Sequence, residues 1–188
     1  VTAEDYKVDC PEGESCYWIV ERFTVPDIDP GMIRLAMQGR PIRPGTYTRL
    51  LRKPASRVWN TPIMSDTLAE ITDLLPFLAV ATGRVLINGL GLGVALKAVL
   101  AKPEVEHIDV VEISQDLIDL VGPHYACDRL TIWCADACEI RWPRAARWDV
   151  AWHDIWDSIS PYNRPEMVRL RRKYRRLARW QGVWGWPT

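Results

Sequence analysis

The chain is 188 residues long, 48% hydrophobic and evenly charged, with 24 Lys and Arg against 24 Asp and Glu. That length accommodates one principal domain with a small appendage and excludes two full domains. The charge balance excludes a globally basic polyanion binder or an acidic tail, so any basic surface must be local.

Five cysteines, Cys10, Cys16, Cys127, Cys134 and Cys138, are odd in number and form no CxxC pair, which fits a reducing compartment and a cytoplasmic location. Cys134 and Cys138 have no histidine at ligand spacing, so they read as packing residues and no metal is expected. No apolar run approaches the ~18–20 residues that span a bilayer, and no signal-peptide pattern opens the chain. A soluble protein without a membrane partner is the expectation. Ten tryptophans, eight of them from Trp133 onward, read as core and interface packing.

Along the chain, residues 1 to about 60 offer short strand-like runs at Cys16–Val25, Ile33–Gln38, Tyr47–Leu51 and Arg57–Asn60. Turn signals at Asp29-Pro30-Gly31 and Arg43-Pro44-Gly45 separate them, predicting a small antiparallel β appendage over 1–64. From Ser65 the texture changes. Leu68, Ile71, Leu74 and Leu75 share one helical face, with Ser65 or Asp66 as N-cap and Pro76 near the stop. Regular alternation follows: strand Val85–Asn88, helix Gly93–Leu100, strand His107–Glu112, helix Ser114–Val121, strand Leu130–Cys134 and strand Trp148–Trp152. A final helix over Arg164–Arg179 carries Met167, Leu170, Tyr174 and Leu177 on one face and Arg and Lys elsewhere, and the remainder suffices for one short strand. This pattern predicts an α/β fold over 65–188, a Rossmann-like doubly wound parallel sheet truncated after about the fifth strand, with ligands at the carboxyl ends of the strands.

The residues just after each strand carry the chemistry. Gly89, Gly91 and Gly93 follow the first parallel strand, beside Asn88, and Val94 stands where a dinucleotide GxGxxG turn requires glycine. A GxGxG turn lets backbone approach a ligand without a pyrophosphate, as S-adenosylmethionine sites do, because a Cβ would collide with the ligand or force an unfavourable φ. Glu112 ends the second strand at about the ~20-residue spacing that reaches a ribose. Asp136 follows the third strand and can accept from an exocyclic adenine amine, with Ile113, Trp133 or Ala137 as walls for the ring, or can cap a helix.

These motifs, in this order, resemble the spermidine synthase-like branch of the class I S-adenosylmethionine-dependent methyltransferase superfamily. VLINGLGLG looks like its first motif, VVEIS the acidic second-strand motif, CADA the adenine-contacting motif and WDVAWHDIWDS the fourth-strand motif, while VWNTPIMSDTLAE resembles its hairpin and gate segment. The resemblance covers about 100 residues, Trp59–Ser158. It implies that Gly89, Gly91 and Gly93 line the methionine part of S-adenosylmethionine, or of its decarboxylated form, that Glu112 holds the ribose, and that Asp136 meets the adenine. It also implies that Asp154 matches a catalytic aspartate and Asp157 its companion. A carboxylate there could take a proton from an attacking nucleophile, and His153 is the alternative base.

The sequence departs from the aminopropyl-transferring members of that branch. Leu92 replaces the aspartate of their GGGDGG loop, their Tyr-His-Glu gate is missing after Asp66, and Trp156 and Ser158 stand where they carry serine and proline. A methyltransferase with an unidentified acceptor is therefore the leading expectation, with an aminopropyltransferase as the alternative. A third reading is a non-catalytic protein that binds nucleic acid through the basic segment 164–179. The uncovered sheet edge predicts a homodimer, or coverage by the Trp-rich tail. The β appendage is the expected source of acceptor specificity.

Overall fold

The computed structural model describes residues 6–27, 43–54 and 59–186. Two sheets organise them. Strands β1 (Gly13–Glu14), β2 (Trp18–Val25), β3 (Gly45–Arg52) and β4 (Thr61–Ser65) form an antiparallel sheet in that order. Strands β5 (Gly83–Asn88), β6 (Val105–Glu112), β7 (Leu130–Cys134), β8 (Trp148–His153) and β9 (Ala178–Val183) form a parallel sheet in the order β7-β6-β5-β8-β9. The strand order reverses between β5 and β8, which opens a crevice beyond their carboxyl ends. The mixed α/β architecture with a five-stranded parallel sheet and an N-terminal antiparallel sheet matches the sequence expectation. The predicted strand at Ile33–Gln38 lies outside the described residues, as do two residues of Arg57–Asn60, whose remaining pair, Trp59 and Asn60, is not strand.

Central strand β5 is apolar on both faces, with Val85, Leu86 and Ile87 all buried, as a covered parallel strand requires. Val85 and Ile87 join one cluster with helices α1 (Leu68–Val80), α2 (Val94–Leu100) and α3 (Gln115–Val121). Leu86 joins a second cluster with Leu170 and Tyr174 of α4 (Arg164–Tyr174). Trp18, Val20 and Leu50 of the antiparallel sheet belong to the first cluster, so the appendage shares the core of the parallel sheet. Polar contacts reinforce the junction: Trp18 Nε1 donates to Ser114 Oγ (2.9 Å), and Ser15 Oγ and Tyr17 N donate to Asp116 Oδ2 (2.6 and 2.9 Å).

Two boundaries differ from the sequence expectation, each for a tertiary reason. Helix α1 runs through Pro76 to Val80 and is capped at Thr67, because Ser65 completes β4 and the Asp66 carboxylate accepts from Thr48 N (2.7 Å) and Val8 N (3.2 Å). An interior proline costs roughly 3 kcal/mol. Beyond it, Phe77 is fully buried and stacks on Trp152 at 5.4 Å, and Leu78 is buried too. Each such burial contributes roughly 1.5–3 kcal/mol and offsets the loss. Helix α4 ends at Tyr174 rather than Arg179, because Ala178–Val183 pairs with β8 as the fifth parallel strand. Leu177, which extends the apolar stripe in sequence, instead offers its carbonyl to Trp148 N (2.8 Å). Among the described residues no helix is long and apolar enough to cross a membrane, and the five cysteines are unpaired.

Candidate functional site

A cavity of about 260 Å³ lies at the strand reversal, above the carboxyl ends of β5, β6 and β8. Gly89, Glu112, Asp136 and Asp154 form its floor, while Arg52 and Met64 of the antiparallel sheet form the facing wall. The appendage thus closes the crevice that the parallel sheet opens.

The glycine turn is built first by backbone demands. Gly89, Gly91 and Gly93 have φ values of +101°, +53° and +80°. A Cβ on Gly89 would lie 1.9 Å from the backbone carbonyl oxygen of Asp154, so Gly89 lets the segment after β8 pass against β5. A Cβ on Gly91 would meet only the flexible Met64 side chain, and one on Gly93 the Tyr125 ring. The chain itself, and not only a ligand, therefore requires these glycines. Gly89 and Gly91 line the cavity, whereas Gly93 opens α2 behind them.

Glu112 is 8% exposed and holds the turn from the side, accepting from Leu90 N on Oε2 (3.0 Å) and from Ser114 N on Oε1 (2.9 Å). Each carboxylate oxygen retains acceptor capacity toward the cavity. Asp136 lies across from it, its Oδ1 accepting from Cys138 N (2.7 Å) in a local turn, with Ala137 beside it. Ile113 completes this end and is 70% exposed. Trp133 does not line the cavity. Its Nε1 donates to Asp109 Oδ1 (2.9 Å).

Asp154 reaches the cavity at the end of β8 and its carboxyl is pushed up to about 8, first by burial and then by the neighbouring carboxylates of Glu70 and Asp73. His153, its neighbour, points to the opposite face of the sheet. It is wholly buried, Asn88 Nδ2 lies 2.7 Å from its Nδ1, and Gln181 Oε1 accepts from Nε2 at 3.1 Å. Burial lowers its pKa to about 4, so the ring stays neutral. Neither His153 nor Asn88 lines the cavity, because successive residues of a strand face opposite ways. The sequence expectation of a base at His153 and a ligand contact at Asn88 is corrected accordingly: the pair packs the sheet. Asp157 lines the mouth but is bound by Arg52, whose Nη2 donates to Oδ1 at 2.9 Å while Nη1 reaches Oδ2. The Arg52 guanidinium also stacks over Trp18, 4.8 Å from the ring centroid.

Three further residues emerge only from the fold. Met64 Sδ accepts from Leu92 N at 3.0 Å and so sits over the glycine turn. Trp152 forms cavity wall, and its buried Nε1 is turned toward the Asp154 carboxyl without a well-formed hydrogen bond among the described residues. Glu166 at the start of α4 accepts from Trp156 Nε1 at 2.7 Å across the rim. Among the described lining residues the ionisable groups are Glu70, Glu112, Asp136, Asp154, Asp157 and Glu166 against the single cation Arg52. Such a cavity favours a cationic ligand.

Asp154 and His153 give stability two opposing pH dependences. Asp154, with a folded pKa raised from 3.8 to about 8, contributes stability that is fully present below 3.8 and lost as pH rises through 8. His153, with a folded pKa lowered from 6.5 to about 4, contributes stability present above 6.5 and lost as pH falls through 4. The slopes oppose between about 4 and 6.5, and Asp154 acts alone between 6.5 and 8. Urea denaturation should show stability falling there by up to ~1.4 kcal/mol per pH unit, trimmed by solvent that reaches Asp154 through the cavity. In Asp154→Asn that fall should vanish.

No protein-family model matches the sequence, and no curated protein matches it. Its structural neighbours include S-adenosylmethionine-dependent methyltransferases. One, from Clostridium acetobutylicum ATCC 824, is 11% identical over 58% of this chain and 44% of its own, with a TM-score of 0.43. A dimethyladenosine transferase from Plasmodium falciparum is 16% identical over 59% of this chain and 38% of its own (TM-score 0.44). The CcbJ methyltransferase from Streptomyces caelestis is 20% identical over 57% and 43% (TM-score 0.44). The chain spans less than half the length of each of these three.

Proposed function

We propose that the chain is an S-adenosylmethionine-dependent methyltransferase whose acceptor enters from the side of the antiparallel sheet. The observation that carries this reading is Glu112, a nearly buried carboxylate at the end of β6, fixed beside a three-glycine turn in an acid-lined cavity. Its position suits the two vicinal hydroxyls of a ribose, each donating to an oxygen that already takes one backbone N–H. Asp136 would accept from the adenine amine, with Ile113 and Ala137 against the ring. Leu92 N would meet the methionine end once Met64 withdraws, and the donor Trp152 Nε1 suits an oxygen of the ligand.

Bound there, S-adenosylmethionine would supply a methyl group on a cationic sulfur. Asp154 supplies the complementary charge. Burial and its acidic neighbours favour the protonated carboxyl in the unliganded protein, and a cation beside it favours ionisation, so binding near neutral pH should release protons. The carboxylate formed can then take the proton of an attacking O–H or N–H group. Asp157, committed to Arg52, is not presented as a second carboxylate for a diamine, which disfavours aminopropyl transfer.

Calorimetric titration with S-adenosylmethionine, S-adenosylhomocysteine, decarboxylated S-adenosylmethionine and NAD tests the reading. The expected result is binding of the first two, with an enthalpy for S-adenosylmethionine that shifts with buffer ionisation heat. Preference for the decarboxylated form would replace methyl by aminopropyl transfer, and binding of NAD alone would remove the assignment.

A further inference from the structure

The chain is neutral overall, yet its charges are segregated: carboxylates gather in the cavity and guanidinium groups along α4. Helical geometry sorts the basic residues into two sets. Arg169 pairs with Glu139 and Lys173 donates to the carbonyls of Ala137 and Ile140, so both are consumed in fastening α4 to the preceding loop. Glu166, the helix's one acid, turns to Trp156. Arg164, Arg171 and Arg172 fall instead on one outward arc of the helix, and Arg175 and Arg176 follow in the turn after its end. Arg171, Arg172, Arg175 and Arg176 are exposed and in no ion pair among the described residues.

Trp186 marks this arc as an ordered surface. Its ring receives the guanidinium of Arg164 at 5.1 Å and that of Arg171 at 5.4 Å, seven residues and about two turns apart. Stacking holds both side chains in place before any partner arrives, which reduces the ordering cost of binding. The helix spaces Arg164 and Arg172 roughly 12 Å apart at about 1.5 Å per residue, and with Arg175 and Arg176 beyond its end the row is too long for one phosphate group and suited to a linear polyanion. The apolar side chains beside the arc, Pro165 and Val168, are separated by charged residues and form no continuous insertion surface.

From this arrangement we infer that the outer face of α4, ordered by Trp186, docks the phosphodiester backbone of single-stranded nucleic acid, independently of base sequence. The inference stands apart from the methyltransferase assignment, since it uses none of the cavity residues.

The test is fluorescence anisotropy of the intact chain with fluorescein-labelled 20-nucleotide single strands, RNA and DNA, from 50 to 200 mM salt. Binding should weaken with a log–log salt slope near −3, about −0.7 for each of four phosphates contacted. The variant with Arg171, Arg172, Arg175 and Arg176 all changed to Gln should lose at least tenfold in affinity at 50 mM salt while keeping its circular dichroism spectrum. Changing the same four to Lys should restore affinity to within about threefold, which separates charge from a folding defect. Trp186→Ala should weaken binding severalfold without altering the salt slope. Absence of binding at 50 mM salt, undiminished binding by the Gln variant, or sedimentation with phosphatidylserine vesicles in preference to the oligonucleotides would overturn the inference.

Discussion

Gly89→Ala should cost at least about 3 kcal/mol of stability, while Gly91→Ala two positions later costs about 1–2 kcal/mol. The contrast follows from what each new methyl group would meet. At Gly89 it lies 1.9 Å from the carbonyl oxygen and 2.8 Å from the carbonyl carbon of Asp154, and φ of +101° is far from the region L residues tolerate. Only movement of the backbone after β8 relieves the contact, and that backbone is tied by Asp154 N donating to Asn88 O at 2.8 Å. At Gly91 the obstacle is the Met64 thioether, which can rotate, and φ of +53° is the ordinary left-handed well. Urea denaturation of the two variants measures the difference. Equal and small losses in both would mean that ligand approach, and not the packing of β5 against the Asp154 segment, sets the glycine requirement.

The second large effect is expected at Glu112, where one substitution has two separable consequences. Glu112→Ala removes the acceptor for Leu90 N and Ser114 N, and an orphaned buried donor costs roughly 1–3 kcal/mol. Stability should fall by about 2–6 kcal/mol for the pair. The same change should weaken S-adenosylmethionine binding by roughly 1.5–3 kcal/mol, the loss of charge-assisted bonds to the ribose. Calorimetry at a temperature where both proteins remain folded distinguishes the two. A destabilised variant with unchanged affinity would leave Glu112 as a brace for the glycine turn and nothing more.

The parts of the fold legible in the sequence are those that local pattern determines. The apolar run Val85–Asn88, the glycine turn behind it and the acid at Glu112 occupy 30 contiguous residues, Gly83–Glu112, and their mutual placement, the β5–β6 pairing and Leu90 N donating to Glu112, arises inside that unit. The helix predicted over Ser114–Val121 is similarly local, its first residue serving as the cap of α3 and accepting from Leu117 N at 3.2 Å. The misread positions depend on partners far along the chain. Pro76 fails to end α1 because Phe77 finds Trp152, and α4 stops early because β8 offers Ala178–Val183 a place in the sheet.

The candidate site divides in the same way. Gly89, Gly91, Glu112, Asp136 and Asp154 converge because a doubly wound sheet gathers the ends of its strands. The alternation that aims Trp152 and Asp154 toward the cavity turns His153 away, a rule the sequence contains but a motif match does not apply. The pairing of Met64 with Leu92 and of Arg52 with Asp157 joins the two sheets, and no spacing rule connects residues of separate sheets. Those contacts decide what the cavity admits, which is why a shared fold leaves the acceptor open.

A crystal structure of the chain with S-adenosylhomocysteine is the most direct measurement of the central claim. It should place both ribose hydroxyls within hydrogen-bond distance of the Glu112 carboxylate, the adenine beside Ile113 and Ala137 with its amine toward Asp136, and the sulfur nearest Asp154, with Met64 moved off Leu92 N. A ligand bound with its ribose away from Glu112, or a cavity that stays empty at saturating concentration, would contradict it.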